Sequence, residues 1–150
     1  KKIFGRNNFI KNNMTTSTPP DDFSRWLTGF TGEEFGLVHK LYEFYKLFHQ
    51  DTKKFPKIER HTLCEAIKSR ILILIDGIWD ANRLPLPERL ASLERLQRTL
   101  DLVKLFIRLA HDLEIYKVEG YLYRQERLRE IGGMLGVWRK NTRKKLGLDL

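Results

Sequence analysis

Five consecutive apolar residues, Ile71 to Ile75, lie inside the stretch Lys57 to Ala81, KIERHTLCEAIKSRILILIDGIWDA. A helix turns about 100° per residue, so such a run leaves no azimuth polar. A helix that is apolar on every side must be covered on every side. A small bundle covers one stripe per helix, here Leu63, Ile67, Ile71, Leu74, Ile75 and Ile78. Leu72, Ile73 and Trp79 are left over on other azimuths and ask for a further neighbour. The segment begins after Phe55-Pro56, because proline disfavours helical geometry in the residue before it.

The same periodicity divides the rest of the chain. A first helix is expected from Thr31 or Glu33 to Lys53, with Thr31 and Glu34 spaced as a capping box. Its apolar stripe is Phe35, Val38, Leu41, Tyr42, Tyr45 and Phe48. After the link Asn82 to Leu86, Pro87 suits a first helical position and opens a third helix to Leu113. Leu90, Leu93, Leu96, Leu100, Val103, Ile107 and Ala110 form its near-heptad seam. Leu102, Leu105, Phe106 and Leu109 fall off that seam, a second surplus of apolar surface. After a tight link from Glu114 to Lys117, a fourth helix runs to about Thr142, with Val118, Tyr121, Leu122, Leu128, Ile131, Leu135 and Trp138 inward. Its glycines Gly132, Gly133 and Gly136 each cost about 1 kcal/mol relative to alanine, which predicts close approach of a neighbouring backbone. Four amphipathic helices with short links predict an all-α, antiparallel up-down-up-down four-helix bundle over residues 33–143. Residues 1–32 read as a poorly structured extension, with Met14 a candidate start, and residues 144–150 as a basic tail that frays. The surplus apolar surface predicts a homo-oligomer.

The 150 residues carry a formal net charge of +9, a balance that favours polyanionic partners, nucleic acid above all. No apolar run is long enough to cross a bilayer and no signal-peptide pattern is present, so no membrane association and a cytoplasmic location are expected. The lone cysteine, Cys64, excludes an intramolecular disulfide and a cysteine-based zinc site.

Catalytic patterns are missing. None of His39, His49, His61 or His111 follows a glutamate by three residues, so no di-iron set forms. There is no H-E-x-x-H and no glycine-rich phosphate loop. Cys64 lies at i, i+3 from His61, a spacing better read as a buried structural thiol near a surface histidine. Asp76 and Asp80 are read as partners for arginines across an interface. No metal, cofactor or catalytic residue is expected, and a ribonuclease or toxin is disfavoured.

Cations recur outside the seams: Lys57, Arg60, Lys68 and Arg70; Arg89, Arg95 and Arg98; Arg139, Lys140 and Arg143. Arginine suits phosphate because its planar fork makes bidentate contacts. The plainer alternative is a solvated face laced with ion pairs such as Glu94 with Arg98 and Glu126 with Arg129. A symmetric oligomer would repeat the patch around its axis and bind polyanions with steep salt dependence.

Three segments carry a family likeness: KFPKIERHTL with the apolar run after it, RLAHDL at Arg108 to Leu113, and EIGGMLGVWRK at Glu130 to Lys140. Over about Glu34 to Lys140 the chain resembles the accessory variability determinant (Avd) proteins of diversity-generating retroelements. The F-P-K-x-x-R segment is shared with a wider four-helix-bundle family that includes the 23S ribosomal RNA intervening-sequence proteins. In place of that group's Ile-Ala-Glu-Gly-like sequence stands Ile75-Asp76-Gly77-Ile78-Trp79. The resemblance implies a homopentameric barrel without catalysis. It also implies binding of the element's reverse transcriptase and template-repeat RNA, and contact with cDNA, in support of mutagenic cDNA synthesis. Arg60, Arg139 and Lys140 match basic positions of the family pattern, while Arg95 and Arg98 are added from surface geometry. The competing expectation is a structural oligomeric scaffold of the intervening-sequence type with incidental RNA contact.

Overall fold

A computed structural model describes residues 33–148, and all its regular elements are helical. Helix α1 (Glu33–Asp51) ends in a 3-10 turn at Thr52–Lys54. Beyond Pro56 come a short helix α2 (Lys57–Glu59), a π-helical turn at Arg60–Cys64, and α3 (Glu65–Ala81). Helices α4 (Leu86–Asp112) and α5 (Val118–Lys145) complete the set. Helix α3 packs against α1 and α4, and α5 packs against α4 and α1, closing a four-helix bundle. The expectations for residues 1–32, including Met14 and the Thr31 half of the capping box, lie outside the described residues.

The α4 seam is buried residue for residue, from Leu90 through Ala110. Leu63 in the π-turn and Ile67, Ile71, Leu74 and Ile78 on α3 are buried as the spacing predicts, while Ile75 is only half-buried. Two stripes differ from expectation. In α1 the core residues include Leu37 and Phe44, while Tyr42 is 45% exposed. In the first turns of α5, Val118 and Leu122 are exposed, and the inward position belongs to Arg124.

Arg124 is buried because a partner, Asp51, comes to it from the end of the neighbouring helix α1. Its Nη2 lies 2.5 Å from Asp51 Oδ1 and its Nε donates to Asp51 Oδ2 at 2.6 Å. The hydroxyl of Tyr116 donates to the same Oδ2 at 2.7 Å, and Arg124 Nη1 donates to Gly120 O at 2.8 Å. No fully buried side-chain nitrogen or oxygen among the described residues lacks a hydrogen-bond partner, as a dry interior requires. Burial pushes the Tyr116 phenol well above its usual range, and the bond to Asp51 and that carboxylate's charge push it further. Phe55 seals this end, edge-on to Phe48 at 5.6 Å and to Tyr116 at 6.1 Å.

The segment expected as one helix from Lys57 is interrupted by the π-turn. Local bonds compete there: Arg60 Nε donates to Phe55 O at 3.1 Å, and Thr62 Oγ1 donates to Glu59 Oε2 at 2.7 Å. Cys64 is buried with its Sγ 3.8 Å from Thr52 Oγ1, and His61 is exposed. Helix α4 ends with Glu114 at a φ of 65°, the Ile115 amide bonding to Ala110 O and the Glu114 amide to His111 O. That is a Schellman close, made without the usual glycine. Helix α5 closes the same way at Gly147, so Lys144 and Lys145 are helical where a frayed tail was expected.

The helix-four glycines do not meet a neighbouring backbone. A Cβ at Gly133 or Gly136 would find open space, and one at Gly132 would meet only side-chain atoms of Lys104 and Leu100. The close-packed glycines are Gly77, where a Cβ would run into Leu96 Cδ2, and Gly36, where it would lie 2.8 Å from Met134 Cε.

Candidate nucleic-acid interface

The antiparallel order gives the bundle two ends. One holds the α1 C-terminus, the α4 C-terminus and the start of α5, with Asp51 and Arg124 between them. The other collects the α3 C-terminus, the first half of α4 and the last turns of α5. Residues 139–145 of α5 contain five cations and no acid. Cations are favoured at a helix C-terminus, whose dipole supplies roughly half a negative charge. Five exceed that, so a net positive surface remains.

The predicted cations separate by position. Arg143 Nη1 lies 3.7 Å from Glu94 Oε1, an ion pair between α5 and α4 that replaces the expected Glu94–Arg98 pair. That antiparallel register sets Arg98 level with Arg139. Arg95 and Arg98 are exposed and, among the described residues, their side chains have no hydrogen bond or ion pair. The same holds for Arg139, half-buried, and for Lys140, exposed. These four lie on the α4 and α5 surfaces of one end and form the most open cationic surface of the predicted set.

Arg89 is at this end but has another task. Its Nε donates to Ala81 O at 3.1 Å, and its Nη2 donates to Asn82 O at 3.0 Å and Leu84 O at 3.1 Å. It caps the carbonyls that end α3 and hold the Pro85 link. A depression of about 510 Å³ beside it is lined by Glu34, Trp138, Asn141, Lys144 and Lys145 among others.

The remaining predicted cations are elsewhere. Lys57 and Arg60 occupy the opposite end, and Arg60 is tied to Phe55 O. Lys68 Nζ lies 3.3 Å from His49 Nδ1 and 6.0 Å from the Tyr45 ring. Arg70 stacks over Phe106 at 4.9 Å and donates to Ala66 O. The ten residues are therefore not one patch.

Five of the seven predicted contact residues for further copies stay exposed. Leu72 and Ile73 are half exposed, and so is Leu105; Leu102 and Leu109 are somewhat less so. Trp79 and Phe106 are each partly covered by a cation, Arg83 and Arg70. Leu72 and Ile73 border a shallow depression with Tyr45, Glu65, Lys68, Ser69 and Asp76.

One cluster escaped the sequence reading. Between α1 and α5 lies a groove lined by His39, Lys40, Glu43, Lys46, Tyr123 and Arg127, with Phe44 and Ile131 at its apolar side. The i, i+4 spacing of Tyr123 and Arg127 was the available signal. The groups of His, Cys, Asp and Glu among the described residues include none arranged to hold a metal ion. No described helix is long and apolar enough to cross a membrane.

Fold and surface thus define a class: a small, wholly helical four-helix bundle with one strongly cationic end. Residues 36–142 match the family described as bAvd-like, which spans all four long helices. The chain belongs to the bAvd-like family. No curated protein and no solved structure matches it.

Proposed function

We propose that this protein is a non-enzymatic accessory subunit of a diversity-generating retroelement. It binds the element's reverse transcriptase and template-repeat RNA, with cDNA as a second nucleic-acid partner, and supports mutagenic cDNA synthesis. Its RNA grip is the α4/α5 surface of Arg95, Arg98, Arg139 and Lys140. The observation that carries the reading is the family match over the whole bundle, joined to a cationic surface without internal partners. Arginine forks that no carboxylate neutralises are available for bidentate phosphate contacts.

The working form is a homo-oligomer, five copies in a ring by family likeness, in the cytoplasm. The exposed apolar residues of α3 and α4 support assembly, since Leu72, Ile73, Leu102, Leu105 and Leu109 stand uncovered on the isolated chain. Leu105→Glu puts a charge in that surface and is expected to lower the mass seen by light scattering while helicity is kept. An unchanged mass places the contact elsewhere.

Reconstitution tests the function itself. Purified reverse transcriptase and template-repeat RNA are expected to yield cDNA when this protein is added and little without it. Equal cDNA yield in both reactions contradicts the accessory role.

A further inference from the structure

The α1/α5 groove combines three features that a nucleotide uses together. It has a volume of about 460 Å³ and an apolar side formed by Phe44 and Ile131. Tyr123 lines it with 48% of its surface exposed. The Arg127 guanidinium lies 4.2 Å from the centre of the Tyr123 ring and donates to the Tyr123 hydroxyl. The guanidinium is thus stacked on one face of the Tyr123 ring at one edge of the groove, and the rest of the half-exposed ring is open.

The charges around it are unequal in their commitments. Lys40 is paired with Glu130 at 2.8 Å, and Lys46 with Glu43 at 3.3 Å. Arg127 has no carboxylate partner among the described residues. All four side chains of the two ion pairs are well exposed, and pairs of that kind contribute little to stability. A phosphate therefore meets in Arg127 a cation committed only to Tyr123, and displaces Glu43 from Lys46 at little cost. The displaced Glu43 carboxylate remains as an acceptor for the amino and imino groups of a base.

We propose that this groove binds one nucleotide of single-stranded nucleic acid, with the base stacked on Tyr123 and the phosphate held by Arg127 and Lys46. A paired stem cannot use it, because duplex stacking hides the faces of its bases. The site lies on the α1 flank of α5, whereas Arg95, Arg98, Arg139 and Lys140 lie on the α4 side or the outer surface. Single strand and stem would then be held on two flanks of one helix. The assignment rests on the reading above that the protein handles RNA.

The test uses the full chain and two fluorescent probes, an unstructured oligouridylate and an RNA hairpin stem, followed by anisotropy. Tyr123→Ala is expected to weaken oligouridylate binding about tenfold, the effect of losing one stacked base, and to leave stem binding unchanged. Tyr123→Phe keeps the ring and is expected to bind like the wild type. The pair Arg95→Glu and Arg98→Glu is expected to show the reverse pattern, losing the stem first. Wild-type affinity for oligouridylate in Tyr123→Ala overturns the nucleotide site. A wild-type protein that binds the stem but not oligouridylate overturns it too, and leaves the accessory function standing. Binding of neither probe overturns both. Loss of reverse-transcriptase capture by Tyr123→Ala, with oligouridylate binding intact, makes the groove a protein-docking site and removes the nucleotide from it.

Discussion

The two ends of the bundle use the same kind of residue in opposite ways. At one end Arg124 is 5% exposed and holds Asp51 through two short bonds, with Tyr116 on the same carboxylate. At the other, Arg95 and Arg98 stand in solvent with no partner among the described residues. What separates them is whether a carboxylate is within reach. A guanidinium facing a buried acid becomes a structural fastening; one without an acid remains available to phosphate. Arg89 shows that location alone does not decide, because it lies at the cationic end yet is committed to three carbonyl contacts.

The sharpest way to break this contrast is to remove a fastening. Arg124→Ala removes both short bonds to buried Asp51 and leaves it only Tyr116 and the solvent-facing Lys54, 3.6 Å away, and is expected to cost about 3 kcal/mol in chemical denaturation. RNA affinity of the protein that stays folded should be unchanged. A loss below about 1 kcal/mol would show that water reaches Asp51 and that the end is not closed.

Arg89→Ala sharpens the contrast from the other side. It frees the carbonyls of Ala81, Asn82 and Leu84, with an expected destabilisation of about 2 kcal/mol. The folded variant is expected to keep RNA affinity within about twofold, since few of its donors face outward. Normal stability with lost RNA binding would move Arg89 from the fastenings to the RNA surface.

The smallest expected effect is a pH dependence. Tyr116 keeps its proton in the native state to higher pH than it would unfolded, because burial and Asp51 raise its pKa. Above about pH 10 the unfolded chain gives up that proton while the native one holds it, so stability falls as pH rises. Urea denaturation at about pH 9 and about pH 11 should show a steeper alkaline loss in the wild type than in Tyr116→Phe. Equal losses would mean that Tyr116 is solvated.

What the sequence made legible follows the range of the signal. The α4 seam was readable because leucine, valine and isoleucine recur with one period and polar residues separate them. The α1 stripe was half readable: Val38, Leu41 and Phe48 are buried as expected, but the aromatic Phe35, Tyr42 and Tyr45 drew the stripe away from Leu37 and Phe44. Arg124 was unreadable for a different reason: its partner is Asp51, 73 positions away, and no local rule places an arginine in a core for such a distant acid. Among the site cations, spacing located those on the surface but not their commitments. Glu94 pairs with Arg143 across helices, so Arg98, its neighbour by spacing, is left open. The cost of Gly133 and Gly136 also remains unmatched within the chain, where a close backbone had been expected.

Binding of structured RNA as a function of salt tests the central claim most directly, comparing the wild type with the Arg95→Glu, Arg98→Glu variant. The wild type is expected to lose affinity steeply and linearly on a log–log plot, as released counterions require. The variant should bind far more weakly, with a slope shallower by about two and an unchanged melting temperature. Wild-type affinity that stays flat from low to moderate salt, or a variant that binds as tightly as the wild type, would contradict the account.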